Sequence, residues 1–313
     1  MIFMYNTKAP ISKKTFLFYV KRDWQLYLLI SLPLLTVFIF KYIPMGGLSI
    51  AFFDYDIIKG FSGSKFIGLD IFKEVFTMSE FKRSFRNTLT LNILDLVFGF
   101  PMPIILAILL NEIKSVSFKR VSQTVLYLPH FLSWVIIAGI MSQLLGTNYG
   151  LINNIIVKLG GNNIPFLTEK YHWIVSYVAI GIWQSVGWGT IIYLAAISGI
   201  SSELYEAAIV DGANRWHKII YITLPSIKGT VITLLIMNLG RLMGGSFERS
   251  YLIGNSIVIE VSKILPVFIY EVGLRAYRYN VATALGLFQS FIGFLLILVT
   301  DRIAKKLGED GLI

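Results

Sequence analysis

Long apolar runs alternate with short polar segments along most of the chain. Six of these runs hold about 20 mainly apolar residues, the length that a helix needs to cross the hydrocarbon core of a bilayer. Backbone groups inside lipid must be satisfied within the segment itself, so each run is expected to be a helix. The pattern predicts an all-α integral membrane protein with six spans, the fourth long enough to tilt or to be interrupted. The predicted spans are residues 24–43, 89–110, 125–145, 173–200, 227–243 and 282–300.

The polar segments between the spans also carry a pattern. Apolar residues at 71, 72, 75 and 76 have the spacing of an amphipathic helix that lies along the outer surface. Asn87 and Thr88 stand where the N-cap of the second span is expected. Glycine, asparagine and proline cluster at 160–165, which predicts a turn that ends the preceding helix.

Composition supports a membrane protein and excludes several classes of site. Of 313 residues, 55% are hydrophobic and 15% charged, and the net charge is +10. The basic residues gather beside the apolar runs, so anionic lipid explains them better than nucleic acid, which is not expected as a partner. There is no cysteine, and the three histidines are far apart in sequence, so no metal site is expected. The N-terminus lacks a cleavable leader pattern, and the first run is interpreted as an anchor.

Orientation follows from the distribution of Lys and Arg. With the N-terminus inside, the inner segments hold 13 basic residues in 74 positions and the outer loops hold 12 in 108. The excess on the inner side predicts two cytoplasmic termini. The chain then divides into a cytoplasmic segment 1–23, a membrane domain 24–301 with an inner loop 201–225, and a cytoplasmic tail 302–313.

The inner loop 201–225 differs from an ordinary polar connection. Residues 203–211 can form two helical turns that place Leu204, Ala207, Ala208 and Asp211 on one side. Paired alanines allow another surface to approach the backbone closely. Gly212 follows where a left-handed helix end needs a residue without a β-carbon, and Asn214 can cap a second helix. Pro225 is expected to end that helix and to begin the fifth span. The pattern indicates either a solvated turn or a docking element for a soluble partner.

The spacing in this loop matches a known signature. EAA at 206–208, glycine at 212, isoleucine at 222 and LP at 224–225 follow the pattern EAA-x3-G-x9-I-x-L-P. The chain therefore resembles the membrane subunits of binding-protein-dependent ABC importers, and in particular the maltose-type carbohydrate permeases with the type I fold. Many relatives have proline where this chain has Ser202, and Ser201 or Ser202 is expected to cap the helix instead.

The resemblance covers nearly the whole chain. It extends through FIGLDIFKEVF, NTL, AILLNE, FKRVSQTVLYLPHFLSWVI and the C-terminal segment from YNVATALG to the end. This tail, together with NLGRLMGGSFERSYL, is most similar to the subgroup linked to complex oligosaccharides and polysaccharide fragments.

The resemblance implies a partner complex and a mechanism. The partners would be a second, homologous permease, two ATP-binding cassette ATPase subunits and an extracytoplasmic solute-binding protein, all at the bacterial cytoplasmic membrane. The loop would form a coupling helix in a groove of the ATPase and act as a lever in alternating access. The residues that match this role are Glu206, Ala207, Ala208, Asp211, Gly212 and Arg215. ATP and Mg²⁺ would bind to the ATPase, and no cofactor is expected in this chain.

No motif for chemistry accompanies the loop. The pattern G-x-x-x-x-G-K-[ST] is absent, as are H-E-x-x-H and G-x-S-x-G, so this chain is interpreted as a transport subunit without its own ATPase site. Two ionisable residues stand within spans, where a charge is costly and marks a candidate functional site. Asp95 could instead pair within the bundle. Arg241, three residues after Asn238, could instead extend to the outer headgroups.

The fourth span carries the best candidates for sugar contact. Trp183, Gln184 and Trp188 stand among glycines in GIWQSVGWGT. Tryptophan rings stack on pyranose rings and glutamine can bridge hydroxyls, although tryptophan is also an ordinary interface anchor and glycines also serve helix packing. The expected substrate is an oligosaccharide. A permease for another solute, such as a peptide or polyamine, would share the inner loop, and a membrane enzyme or scaffold is the alternative from a different class.

Overall fold

The computed structural model describes residues 20–306, and this part of the chain is almost entirely helical. Its only strands, Phe53–Asp54 and Lys65–Phe66, form a short antiparallel ribbon in which Phe53 pairs with Phe66. The predicted all-α fold is therefore confirmed apart from this ribbon. The prediction of two cytoplasmic ends stays a prediction, and the terminal segments 1–19 and 307–313 lie outside the described residues.

Four continuous helices are long and apolar enough to cross a membrane, and two bent helix pairs bring the number to six when each pair is one span. This agrees with the six predicted spans. In chain order they are Trp24–Phe52, Ser79–Glu112, the pair Val116–Phe131 and Trp134–Leu145, Lys170–Ser198, the pair Arg215–Ser226 and Lys228–Gly240, and Tyr279–Lys306. We call these the first to sixth spans. The fourth runs without a break, and the sixth continues six residues beyond its predicted end at 300.

The chain divides into two compact units at Ile50 and Ala51. The N-terminal unit contains most of the first span, and the side chains of its helix Trp24–Val37 are almost all exposed. After this helix the first span continues as a π turn, Phe38–Tyr42, a short helix, Ile43–Met45, and a 3₁₀ helix, Gly46–Phe52. A helix with apolar side chains on every side is suited to a lipid or protein environment rather than to water.

The third and fifth spans are bent, which the sequence pattern did not predict. The third turns by 104° between Phe131 and Trp134, where a 3₁₀ turn ends and the Ser133 hydroxyl accepts a hydrogen bond from the Ile136 N–H to start a new helix. The fifth bends by 60° at Ile227. The helix capped by Asn214 was expected to end at Pro225, and it ends one residue later, at Ser226, after a π turn at Ile219–Thr223 that was not predicted.

The expected N-cap of the second span was wrong. Asn87 and Thr88 lie inside the helix Ser79–Leu94, and both are buried. The Asn87 Nδ2 donates to the carbonyl oxygens of Glu260 and Lys263 at 2.9 and 3.0 Å, and the Thr88 Oγ1 accepts the N–H of Leu265 at 2.7 Å. These side chains bind a distant segment, so their polarity reflects tertiary hydrogen bonds rather than a helix start.

Short helices between the spans complete the second unit. The predicted amphipathic helix is confirmed as Asp70–Thr77, with Ile71 and Val75 buried, and the turn at 160–165 is confirmed by the end of the helix Leu151–Lys158 and by Gly160, whose φ is +85°. The other short helices are Ser202–Val210, Phe247–Ile253, Ile259–Ser262 and Leu265–Tyr270, the last followed by a π turn, Glu271–Arg275.

The fourth span lies at the centre of the packing. Trp173, Tyr177 and Ile180 belong to one buried cluster, and Tyr193 and Ile197 belong to another. A third cluster joins the helix Asp70–Thr77 to the start of the sixth span. The fourth span is therefore held along most of its length and provides a fixed wall for the site described next.

Candidate functional site

A cavity of about 590 Å³ lies among the second, third, fourth and fifth spans and the segment 241–249. Its polar and aromatic lining includes four of the five residues that the sequence predicted for the substrate pathway, Gln184, Trp188, Asn238 and Arg241. Trp183 does not line it, because its side chain stands on another side of the fourth span, where it is 40% exposed. The other polar or charged residues of the lining are Asn92, Asp95, Trp134, Ser185, Tyr193, Ser246 and Arg249.

The wall on the second span follows from local backbone chemistry. The helix widens to a π turn at Asp95–Gly99 directly before Pro101, which lacks the N–H that a regular helix would use. Asp95 and Gly99 both line the cavity. Single π turns of this kind interrupt the regular spacing of side chains, and here one turns a carboxylate toward the cavity.

Glycines on the fourth span allow neighbouring chains to come close. A β-carbon at Gly187 would overlap the carbonyl oxygen of Leu126, and one at Gly189 would lie 2.9 Å from the Pro103 Cγ. These glycines therefore serve helix packing, one of the two roles that the sequence left open, and they do not break the helix.

Trp188 is supported from behind by a second ring. The His130 imidazole lies parallel to the Trp188 indole, with centroids 4.7 Å apart and planes 8° apart. The Phe131 ring meets the same indole edge to face at 6.3 Å. Because two rings limit its rotation, the indole is held in position in the wall of the cavity.

An ion pair inside the bundle joins the second span to the helix Phe247–Ile253. The Arg249 guanidinium forms a short salt bridge to the Asp95 carboxylate, with side-chain exposures of 5% and 27%. The guanidinium also lies 3.8 Å from the Tyr177 ring centroid. A β-carbon at Gly181 would overlap the same guanidinium, so this glycine provides the space for it. Asp95 thus pairs within the bundle, the alternative that the sequence left open.

Arg241 is placed by a turn at the end of the fifth span. The helix Lys228–Gly240 ends there, and the Asn92 Nδ2 donates to the Leu242 carbonyl oxygen at 2.6 Å, which holds the turn against the second span. Gly245 completes the turn with a φ of +58°, a conformation that residues with a β-carbon rarely adopt. Arg241 is exposed and lines the cavity.

The inner loop has the predicted helix, turn and helix. The first helix is Ser202–Val210, and the Ser201 hydroxyl caps it by accepting the Glu203 N–H at 3.3 Å. Gly212 has a φ of +78°, and the Asn214 side chain caps the second helix by accepting the His217 N–H at 2.9 Å. The helix therefore forms although this chain has Ser202 where many relatives have proline.

The loop presents its candidate docking residues to solvent. Glu206, Ala207, Asp211, Gly212 and Arg215 are exposed, and Ala208 is half-buried. The nearest carboxylate oxygen to the Arg215 Nε belongs to Glu112 at the end of the second span, 4.0 Å away.

Apolar side chains surround the same loop. Val210 is 88% exposed and Trp216 is 71% exposed. Exposed apolar residues next to polar ones occur at protein contact surfaces, so the docking role of the loop stays a prediction.

Among residues 20–306, no three His, Asp or Glu side chains approach closely enough to hold a metal ion.

The family model for the inner membrane component of binding-protein-dependent transport systems matches residues 81–309 of this chain. This region includes the cavity and the inner loop. The chain belongs to this family. It is therefore a multi-pass membrane permease, and the resemblance found in the inner loop is confirmed over most of the chain.

Individual relatives agree with the family. The permease is 44% identical to protein LplB of Bacillus subtilis, over 94% of this chain and 92% of the relative. It is 42% identical to the polygalacturonan/rhamnogalacturonan transport system permease protein YteP of the same organism, over 92% and 89%. A chain in the crystal structure of a bacterial alginate ABC transporter, in complex with alginate pentasaccharide-bound periplasmic protein, matches with a TM-score of 0.88 and 37% identity over 96% of this permease and 100% of that chain.

Sequence reasoning missed Arg249 of the permease. The segment 244–281 was counted as an outer loop, so its basic residues were assigned to the surface. The sequence did contain one indication of it, because an acid within a span, here Asp95, is usually paired with a base. The partner is 154 positions away, and several basic residues would have satisfied that requirement equally well.

Proposed function

We propose that this permease is the membrane subunit of an ATP-driven importer that moves oligosaccharides across the cytoplasmic membrane. The observation that carries the proposal is the cavity of about 590 Å³ with a ring-supported tryptophan and several amides in its wall. Its volume falls within the range of about 300–1,000 Å³ typical of small-molecule sites. Trp188 can stack on the apolar face of a sugar ring, and Gln184 and Asn238 can hydrogen-bond its hydroxyls. The names of YteP and of the alginate transporter support a saccharide as the solute.

Transport would proceed by alternating access without covalent change to the sugar. In this proposal the loop 201–225 rests on a cytoplasmic ATPase. Glu206 makes a polar contact with it, and Ala207 and Ala208 allow close approach. Gly212 sets the bend, and Asp211 and Arg215 contribute at the rim. The exposure of the loop supports this role, because docking requires accessible side chains.

The complete importer would contain further subunits. These are a second, homologous permease, two ATP-binding cassette ATPase subunits that bind ATP and Mg²⁺, and an extracytoplasmic binding protein that delivers the sugar. The present chain would need no cofactor of its own. Both of its termini would be cytoplasmic, with lipid around the spans.

A charge reversal in the loop tests the proposal. In cells that make the importer, oligosaccharides from partial polysaccharide hydrolysates are supplied, and accumulated sugars are measured by mass spectrometry against a strain that lacks this gene. Glu206→Arg should reach the membrane normally and lower uptake at least about ten-fold, because a misplaced charge at a desolvated contact costs more than about 1.4 kcal/mol. The matched control is Glu203→Arg, an exposed residue on the same helix, which should keep most of the uptake.

The outcomes separate function from coupling. Equal accumulation with and without the gene, for every oligosaccharide supplied, would refute the transport proposal. Normal uptake by Glu206→Arg would refute the role of the loop while leaving the transport proposal in place.

A further inference from the structure

The charges that line the cavity do not balance. Among the described residues 20–306, the acidic and basic side chains in the lining are one acid, Asp95, and two bases, Arg241 and Arg249. Arg249 is already neutralised by its salt bridge to Asp95. No carboxylate among residues 20–306 lies within 4 Å of a nitrogen of Arg241. The cavity wall therefore carries one uncompensated positive charge.

The position of Arg241 at the end of a helix stabilises its positive charge, but does not cancel that charge. It directly follows the helix Lys228–Gly240, whose C-terminal dipole is equivalent to about half a negative charge. The dipole offsets part of the positive charge and fixes its location. The rest of the Arg241 charge lies in a cavity wall that also contains the Trp134, Trp188 and Leu234 side chains. Low-polarity walls weaken screening and strengthen the attraction of an anion.

We propose that Arg241 recognises a carboxylate on the transported sugar, and that the substrates of this permease are acidic, uronate-bearing oligosaccharides. The inference rests on the proposed function and names its substrate class. A guanidinium can hold a carboxylate through two parallel charge-assisted hydrogen bonds, which combine attraction with defined geometry. Trp188 would stack on the ring that carries the carboxylate. The same positive charge disfavours a polyamine, the cationic alternative that the inner loop alone left open.

The experiment compares acidic oligosaccharides with neutral counterparts of the same linkage. The probe is a pool of oligosaccharides cut from pectin, alginate and glucuronoxylan, supplied either unchanged or after chemical reduction of its carboxyl groups to alcohols. Cells that make the complete importer with its own binding protein take up each pool, and accumulation is measured by mass spectrometry. A strain without this gene gives the background.

Wild-type cells are expected to accumulate the acidic pool about ten-fold faster than the reduced pool. Arg241→Gln should lower uptake of the acidic pool about ten-fold, equivalent to about 1.4 kcal/mol. It should leave uptake of the reduced pool unchanged, and Arg241→Lys should retain most of the preference because the charge remains. The binding protein is the same in every strain, so a change in the ratio of the two pools arises in the permease. Arg120→Gln, which removes an exposed arginine outside the cavity, is the matched control and should leave both rates unchanged.

Two results would overturn the inference while leaving the proposed function intact. One is uptake of the reduced pool as fast as the acidic pool in wild-type cells. The other is an equal fall of both rates in Arg241→Gln. If Arg241→Gln fails to reach the membrane, Arg241→Met, which also removes the charge, takes its place in the comparison of the two pools. Failure to accumulate any member of either pool would instead refute the proposed function itself.

Discussion

Replacement of Asp95 by leucine should destabilise the permease strongly. The variant removes the carboxylate that pairs with Arg249, a guanidinium that is 5% exposed. Breaking a buried ion pair by removing one partner costs about 3–5 kcal/mol, because the other charge stays buried without compensation. The Tyr177 ring, 3.8 Å from the guanidinium, offsets up to about 2 kcal/mol of this through a cation–π contact. We therefore expect Asp95→Leu to lower the free energy of unfolding by about 1–3 kcal/mol.

Removing both charges should cost less than the sum of the single changes. Arg249→Met leaves Asp95 unpaired, but this carboxylate is 27% exposed and lies at the cavity, where water can solvate it. We expect Arg249→Met to cost about 2 kcal/mol, less than the loss of a fully buried partner. The double variant contains no unpaired charge, so a double-mutant cycle should give a coupling energy of about 2 kcal/mol, within the range for residues in direct contact.

The measurement is equilibrium unfolding of the purified permease in mixed micelles, with SDS as denaturant and circular dichroism as the signal. The pair formed by Lys73 and Asp70 provides a matched control, because it has a similar ionic contact of 2.8 Å but side-chain exposures of 77% and 64%. Exposed pairs of this type contribute little, so its cycle should show no measurable coupling. If the double variant of Asp95 and Arg249 were destabilised by the full sum of the two single variants, the ion pair would not be an energetic unit.

Two further predictions concern the inner loop and the start of the fourth span. Gly212 and Gly160 have φ values of +78° and +85°, and a β-carbon at either would meet no atom within 4 Å. Alanine at either position should lower the free energy of unfolding by about 1–2 kcal/mol through backbone strain. In the reconstituted importer, however, only Gly212→Ala should lower the amount of sugar taken up per ATP hydrolysed. An equal effect of Gly160→Ala would refute a specific coupling role. Glu169 accepts the N–H groups of His172 and Tyr171, which hold the pKa of its carboxyl below the usual 4.5. The stabilisation is complete above pH 4.5 and is lost as the pH falls through the lower folded-state pKa. The free energies of unfolding of Glu169→Gln and of the wild type should therefore differ at pH 7 and become equal in strong acid. A difference that stays constant with pH would contradict the capping role.

Features that depend on neighbouring residues were predictable from the sequence. The six spans follow from apolar length, and the inner loop follows from local chemistry at Ser201, Gly212 and Asn214. Each of these residues acts on backbone groups within a few positions, so its role can be inferred without the fold. Gln184 and Trp188, which the sequence singles out as polar or amphipathic side chains within an otherwise apolar span, both line the cavity, and their role in sugar contact stays a prediction.

Features that depend on distant residues were not predictable in the same way. Asn87 had the composition of a helix cap, but its hydrogen bonds go to backbone oxygens more than 170 positions away. Trp183 and Trp188 are equally good ring-stacking residues by type, and only the packing of the fourth span decides which one lines the cavity. The bends of the third and fifth spans likewise depend on where π and 3₁₀ turns arise near Pro129 and Pro225, which apolar periodicity does not record.

The cavity and the inner loop are parts of one continuous piece of chain. The loop follows the fourth span directly and includes most of the first helix of the fifth span, and these two spans carry Trp188 and Asn238 in the cavity wall. At 1.5 Å per residue, Trp188 lies about 20 Å along the helix from the start of the loop. Within the loop, the hydroxyl groups of Tyr205 and Thr223 share a hydrogen bond of 2.9 Å. This bond links the helix Ser202–Val210 to the first helix of the fifth span. In the proposed mechanism, a force applied to the exposed helix Ser202–Val210 would therefore be transmitted to two walls of the cavity at once. In the same mechanism, the 60° bend at Ile227 would let these walls change their relative position without loss of either helix.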